Sequence, residues 1–178
     1  MSGAAANDAL TVRIAEEASD WPGIWAVFEP IVREGETYPL DTRLDEVGAR
    51  AYWFASDKTI FVAEDAGQGP ETRIIGSYYI KPNSTGPAAH VCNAGYIVHP
   101  AARGRGVAQS LCRHSIEEAR RRGYRAMQYN LVISTNDRAV RLWQHMGFGI
   151  VGTLPGAFRR PNGDYVDALV MYRSLIES

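Results

Sequence analysis

Residues 98–107, Val-His-Pro-Ala-Ala-Arg-Gly-Arg-Gly-Val, constrain the chain most. A strand runs up to them. Pro100 breaks it, having no N–H for a ladder. A helix leaves them from about Val107 to Arg122, with Val107, Ala108, Leu111, Cys112, Ile116 and Ala119 as one apolar stripe and Gly123 as its stop. The first turn of such a helix carries unpaired N–H groups and a partial positive charge. Gly104 and Gly106 allow positive φ and close approach of a ligand to the backbone. The segment therefore suits a phosphate-sized anion, with Arg103 and Arg105 adding charge. The plainer alternative is a turn with two solvated arginines. A P-loop would need Gly-Lys-Ser/Thr, but Lys58 and Lys81 follow Asp57 and Ile80. A dinucleotide fingerprint would need a third Gly at 109 and an acid about 20 residues on, where Gln109 and Tyr124 stand.

The flanking periodicities supply the rest of the frame. Thr11 to Ala15 alternates weakly as a first strand. Asp20 before Trp21-Pro22 signals a helix start, followed by Ile24, Val27, Phe28 and Ile31 on one face. A second helix is expected over Asp41–Ala55, capped near Asp41 or Thr42. Thr59–Ala63, Ile74–Lys81 and His90–Val98 read as three successive strands, an antiparallel meander with turns at Asp65–Arg73 and Pro82–Pro87. Ala126–Ile133 is a strand, and Asn136 opens a helix ended by Gly147. Phe148–Thr153 and Val166–Tyr172 close the sheet around a polar loop, Pro155–Asp164. The strand–helix–strand order implies a crossover unit beside the meander, hence an α/β (α+β) class with a mixed sheet. Residues 1–10 read as a flexible tail without signal-peptide features, and residues 11–178 as a single domain in the cytoplasm.

Composition removes several function classes. The 178 residues carry 19 basic and 20 acidic side chains, a formal net charge of −1. No polybasic surface for nucleic acid follows from that balance. Arg120, Arg121, Arg122 and Arg125 complement a helix end and solvate the surface, and could also contact an anionic ligand. Apolar runs stay below the ~20 residues of a membrane span. Cys92 and Cys112 are too few for a disulfide scaffold, and His90-x-Cys92 lacks further ligands at zinc spacing, so no metal is expected.

Two strings together resemble the GNAT family of acetyl-CoA-dependent N-acetyltransferases. Arg103-x-x-Gly106-x-Ala108 is similar to that family's pyrophosphate loop. Asn136-x-x-Ala139-x-x-Leu142-Trp143-x-x-x-Gly147-Phe148 is similar to its later Asn-x-x-Ala-x-x-Leu-Tyr-x-x-x-Gly-Phe signature. Within the family, His90–Gly95, Tyr129-Asn-Leu131 and Asp164-Tyr-Val-Asp167 resemble the fungal N-acetyltransferases of proline analogues such as azetidine-2-carboxylate.

The resemblance implies a mostly antiparallel sheet flanked by helices and splayed between its fourth and fifth strands. It implies acetyl-CoA as co-substrate, held by Arg103, Gly104, Arg105, Gly106, Val107 and Ala108, with Ile97 and Val98 pairing with its pantetheine arm and an N–H near Val98 serving the oxyanion. Asn93, Asn130 and the Leu131 backbone would fix a small amine acceptor, with Tyr38 on a flap over residues 34–39. Asn136 would assist departure of the thiolate. A homodimer follows by the same analogy.

Each of these residues also has a plainer reading: Asn136 as a helix N-cap, Asn93 as a strand irregularity, residues 34–39 as an ordinary connection. Trp143 stands where many family members have a Tyr able to protonate the thiolate, so it reads as core or channel wall, bordering the cofactor. No acidic base stands in the third meander strand. Tyr129, His90, a water chain or the neutral fraction of the amine are the candidates. A CoA-binding protein without turnover and a protein or peptide N-acetyltransferase are the competing functions.

Overall fold

The computed structural model of the protein describes residues 10–65 and 73–176. The elements are β1 (Leu10–Ile14), α1 (Glu17–Glu34), α2 (Glu46–Trp53), β2 (Thr59–Asp65), β3 (Arg73–Pro82), β4 (Val91–Val98), α3 (Val107–Arg121), β5 (Ala126–Ile133), α4 (Asp137–His145), β6 (Gly149–Arg159) and β7 (Tyr165–Ser174). One seven-stranded sheet has the order β1-β2-β3-β4-β5-β7-β6. Only β4 and β5 run parallel, joined by the α3 crossover.

Helices cover both faces. Under α1 and α2 lie Trp21, Ile24, Phe28 and Trp53 with Tyr79 and Ile97 of the sheet. Under α3 lie Leu111, Cys112 and Ile116 with Tyr78, Met127 and Met171. Removing one such large apolar side chain from water contributes roughly 1.5–3 kcal/mol. Trp53 is wholly buried because its indole N–H has a partner, Ser77 Oγ at 3.2 Å, which itself donates to Phe61 O at 2.7 Å.

Several boundaries differ from the sequence reading, each for a local reason. Helix α1 starts at Glu17 rather than at Asp20, because the Asp20 carboxylate reaches back to the Glu16 N–H (2.7 Å) and pairs with Arg13. Asp41 caps a turn through the Arg43 N–H (2.9 Å), and Asp45 caps α2 through the Gly48 N–H (2.8 Å), so α2 is shorter than Asp41–Ala55. The first half of the expected loop Pro155–Asp164 is strand. β6 continues to Arg159 through two bulges, which an edge strand holding Pro155 tolerates. Leu10, assigned to the tail, opens β1; residues 1–9 and most of the expected Asp65–Arg73 turn lie outside the described residues.

The sheet opens between β4 and β5. Their pairing is confined to Val91 with Ala126 and Cys92 with Met127. Further along, β5 pairs Tyr129 with Met171 but Val132 with Leu169, so Asn130 and Leu131 oppose one residue of β7. This bulge bends β5 away from β4.

Candidate active site

The loop after β4 ends in a helix start without a side-chain cap. Gly104 and Gly106 have φ of +86° and +78°, and nothing within 4 Å would meet a Cβ on either. The first intrahelical bond of α3 runs from the Ser110 N–H to Gly106 O (3.0 Å). The N–H groups of Gly104, Gly106, Val107, Ala108 and Gln109 have no protein acceptor among the described residues. They border a cavity of about 880 Å³, also lined by Ile97, Val98 and Arg103 from the β4 side and by Arg138, Leu142 and Trp143 from α4. Five convergent donors at a helix dipole fit a diphosphate. Arg103 pairs with Glu34 (3.3 Å) and lines this cavity. Arg105 pairs with Asp65 (2.6 Å) and does not line it.

β4 supplies a free edge to the gap. The His99 N–H to Ile75 O and Asn83 N–H to Val91 O bonds fix the phase of the β3–β4 ladder, so odd-numbered residues of β4 pair with β3. Ala94, Tyr96 and Val98 therefore turn their backbone groups toward β5, which has already diverged. The Tyr38 hydroxyl donates to one of them, Tyr96 O, at 2.9 Å. Ile97 turns its own backbone toward Ser77 and buries its side chain.

A second cavity, about 310 Å³, lies on the α1–α2 side of the same gap. Tyr38, Asn93, Asn130, Leu131, Asn136 and Trp143 all line it. Asn93 donates to Gln128 O across the opening (2.9 Å). Asn130 is exposed at the bulge, accepting from Gln128 Nε2 (2.8 Å) and donating to Asn83 Oδ1 (2.6 Å). Asn136 caps α4, its Oδ1 accepting from the Ala139 N–H at 3.1 Å. Its amide NH₂ makes no protein hydrogen bond among the described residues. Asn136, Tyr96, Thr37, Ala139 and Trp143 border both cavities and so mark where they meet.

The acetyltransferase (GNAT) family model matches residues 21–148. The chain belongs to the GNAT family. As such it is an N-acetyltransferase. N-acetyltransferase aca1 of Schizosaccharomyces pombe is 30% identical over 151 residues, 78% of this chain and 72% of that protein. A GCN5-related N-acetyltransferase from Kribbella flavida superposes with a TM-score of 0.85 at 45% identity, covering 94% of this chain and 98% of that one. yncA from Salmonella typhimurium, solved with its cofactor acetyl-CoA, shares the fold at TM-score 0.80 and 24% identity, covering 95% of both chains.

The GNAT site has several features that the sequence did not single out. Tyr52, Tyr79 and Lys81 line the smaller cavity, and Arg138 and Arg160 the larger. Tyr79 lies over Gly95 so closely that a Cβ there would sit 2.5 Å from its ring. Alternation along β3 already places Tyr79 and Lys81 on one face; which face borders the gap depends on the long-range register.

The base candidates separate. His90 is exposed and borders neither cavity. Tyr129 is buried, which pushes its pKa well above 10, and its hydroxyl meets that of Tyr96 at 2.9 Å. Among the described residues, no carboxylate or imidazole lines the smaller cavity. Burial pushes the Cys92 thiol up to about 12, so it is no nucleophile at neutral pH. No cluster of metal-ligating side chains occurs among the described residues.

Proposed function

We propose that this GNAT enzyme transfers the acetyl group of acetyl-CoA to the amine of a small amino acid or proline analogue, by direct attack in a ternary complex. The observation carrying this reading is that two cavities adjoin one interruption of the sheet and meet at Asn136, Tyr96 and Trp143. Acetyl-CoA supplies a thioester, whose thiol leaves readily because its pKa is about 8.5.

The chain's own groups have the remaining tasks. The N–H groups of Gly104, Gly106, Val107, Ala108 and Gln109, with Arg103, would grip the diphosphate. The exposed edge at Tyr96 and Val98 would align the pantetheine arm as an added strand. Asn93, Asn130 and the Leu131 backbone would hold the acceptor, under Tyr38. As the N–C bond forms and the C–S bond breaks, the Asn136 NH₂ would donate to the departing sulfur without itself titrating. With no carboxylate or imidazole among the described residues lining the smaller cavity, the amine enters the reaction from its neutral fraction, and the proton its nitrogen sheds as the amide forms goes to the departing thiolate, giving free CoA thiol.

A small acceptor is favoured because the cavity that would receive it holds only about 310 Å³; the Arg160–Glu36 pair (2.9 Å) ties the end of the β6–β7 hairpin to the segment between α1 and α2 at the larger cavity. A cytoplasmic homodimer belongs to the same reading. Exposed Ile150, Val151 and Leu154 on the edge strand β6 support the self-association. A thiol-release assay across azetidine-2-carboxylate, cis-4-hydroxyproline, other amino acids and peptides tests the proposal. Release with free amino acids is expected. Release with peptides alone, or with no amine, would refute it.

A further inference from the structure

Among the described residues, the smaller cavity has one cationic side chain in its lining, Lys81, and no carboxylate. Lys81 lies in β3 directly opposite Asn93 of β4, so both side chains leave the same face of the sheet. Asn93 follows the last paired residue of the gap, Cys92. The ammonium therefore sits at the closed end of the opening, while Asn136 and Trp143 mark the end shared with the larger cavity.

Lys81 Nζ donates to Asp57 Oδ2 at 3.0 Å, and Asp57 is 53% exposed in its side chain and outside the cavity lining. An ammonium has three donors, so two remain for a ligand. Lys58 stands behind the cavity wall, its Nζ 3.8 Å from the Tyr52 ring centroid and 4.4 Å from that of Tyr79. Among the described residues, two ammonium groups, Lys81 and Lys58, thus stand with one carboxylate, Asp57, at this end. Such a charge pattern repels a polyamine or a cationic peptide terminus and favours an anionic group on the acceptor.

Resting on the acceptor reading above, we infer that Lys81 binds the carboxylate of the acceptor and makes free amino acids the substrate class. The acceptor lies with its carboxylate toward Lys81 and Asn93 and its amine toward Tyr96 and Asn136. A charge-assisted bond at a partly buried site corresponds to roughly a 10- to 100-fold preference for the acid over an uncharged analogue.

The test compares a free amino acid with its own primary amide in the thiol-release assay, using wild type, Lys81→Met and Lys81→Arg. Acetyl-CoA-induced thermal stabilisation is measured for each protein as a check on fold and donor binding. Wild type should favour the acid about tenfold or more in kcat/KM. Lys81→Met should erase that ratio through a raised KM for the acid while retaining the acetyl-CoA shift, and Lys81→Arg should keep the ratio. Equal use of acid and amide by wild type, or a ratio that survives in Lys81→Met, overturns the inference while leaving the acetylation of small amines standing. If wild type binds acetyl-CoA but acetylates neither form, the acceptor reading itself falls, and the role of Lys81 with it. The wild-type comparison decides the matter even if a variant misfolds.

Discussion

Substituting Gly106 by alanine separates backbone strain from ligand binding, because Gly123 provides a matched control. The two glycines stand at opposite ends of α3 with φ of +78° and +81°, and nothing within 4 Å would meet a Cβ on either. Each alanine should therefore cost about 1–2 kcal/mol from the left-handed conformation alone. For a chain of this size that lowers Tm by roughly 2–8 °C. Only Gly106 borders the larger cavity. Relaxing its φ toward negative values rotates the adjoining amides out of the cradle. Losing one or two N–H bonds to a charged diphosphate, at about 1.5–3 kcal/mol each, weakens affinity at least tenfold and about 100-fold centrally. With acetyl-CoA at 100 times its wild-type Kd, stabilisation is about 2.7 kcal/mol, or roughly 5–11 °C. A 100-fold weaker Kd leaves about 0.4 kcal/mol, a shift of about 1–2 °C. Differential scanning fluorimetry with and without acetyl-CoA reads both quantities. Gly106→Ala and Gly123→Ala should lose similar apo stability, and only Gly106→Ala should lose the ligand shift. Equal ligand shifts in the two variants would show that the diphosphate is not held by these amides.

Asn136→Asp keeps an oxygen for the Ala139 N–H, so apo Tm should stay within about 2 °C, while the lost NH₂ donor should lower kcat about 10- to 100-fold; unchanged kcat would leave Asn136 as a helix cap only. Lys58 has its pKa lowered to about 8, chiefly by burial and then by Lys81. Between pH 8 and about 10.4 the unfolded chain holds a proton that native Lys58 has released, so this residue's contribution to stability grows as pH rises. The buried thiols and tyrosines act in the opposite sense, with pKa values raised in the native state. The informative quantity is therefore the difference between wild type and Lys58→Met in urea unfolding, which should move in favour of wild type from pH 8 to pH 10. A difference independent of pH would contradict a desolvated ammonium at this position.

Local rules were enough where local physics decides. The stripe of α3, its glycine loop and the Asn136 cap are each set by residues within one or two turns, and all three lie where the pattern puts them. The opening between β4 and β5 was expected from the family resemblance, and the Asn130–Leu131 bulge now supplies a physical cause. Asn130 looks misplaced in an apolar strand until the bulge turns it outward. β6 was misjudged because Pro155 and Gly156 read as loop, whereas an edge strand can carry both. The walls of the smaller cavity were the least legible. Tyr38 reaches Tyr96 over 58 positions, and Asn130 reaches Asn83 over 47. No periodicity encodes such meetings, so Lys81 passed as an ordinary strand-end lysine.

The gap must stay open although an unpaired strand edge tends to find a partner. The bulge in β5 removes the matching register, and Asn93 occupies Gln128 O where a further rung would form. Beneath the opening, hydroxyls replace backbone pairing. Ser115 Oγ donates its one proton to Cys112 O (2.8 Å), so toward Tyr96 (2.6 Å) it accepts. Tyr96 then accepts from Tyr129 (2.9 Å), whose oxygen takes the weak S–H of Cys112 (3.6 Å). The chain closes on α3 with its donors and acceptors matched, and no buried side-chain polar atom is left unsatisfied among the described residues. Trp143 packs on both tyrosine rings, at 5.0 and 5.1 Å. Trp143 thereby braces the two strands. That packing accounts for a tryptophan at this position, and Asn136, Thr37 and Trp143 each border both cavities with a side-chain donor that makes no hydrogen bond among the described residues.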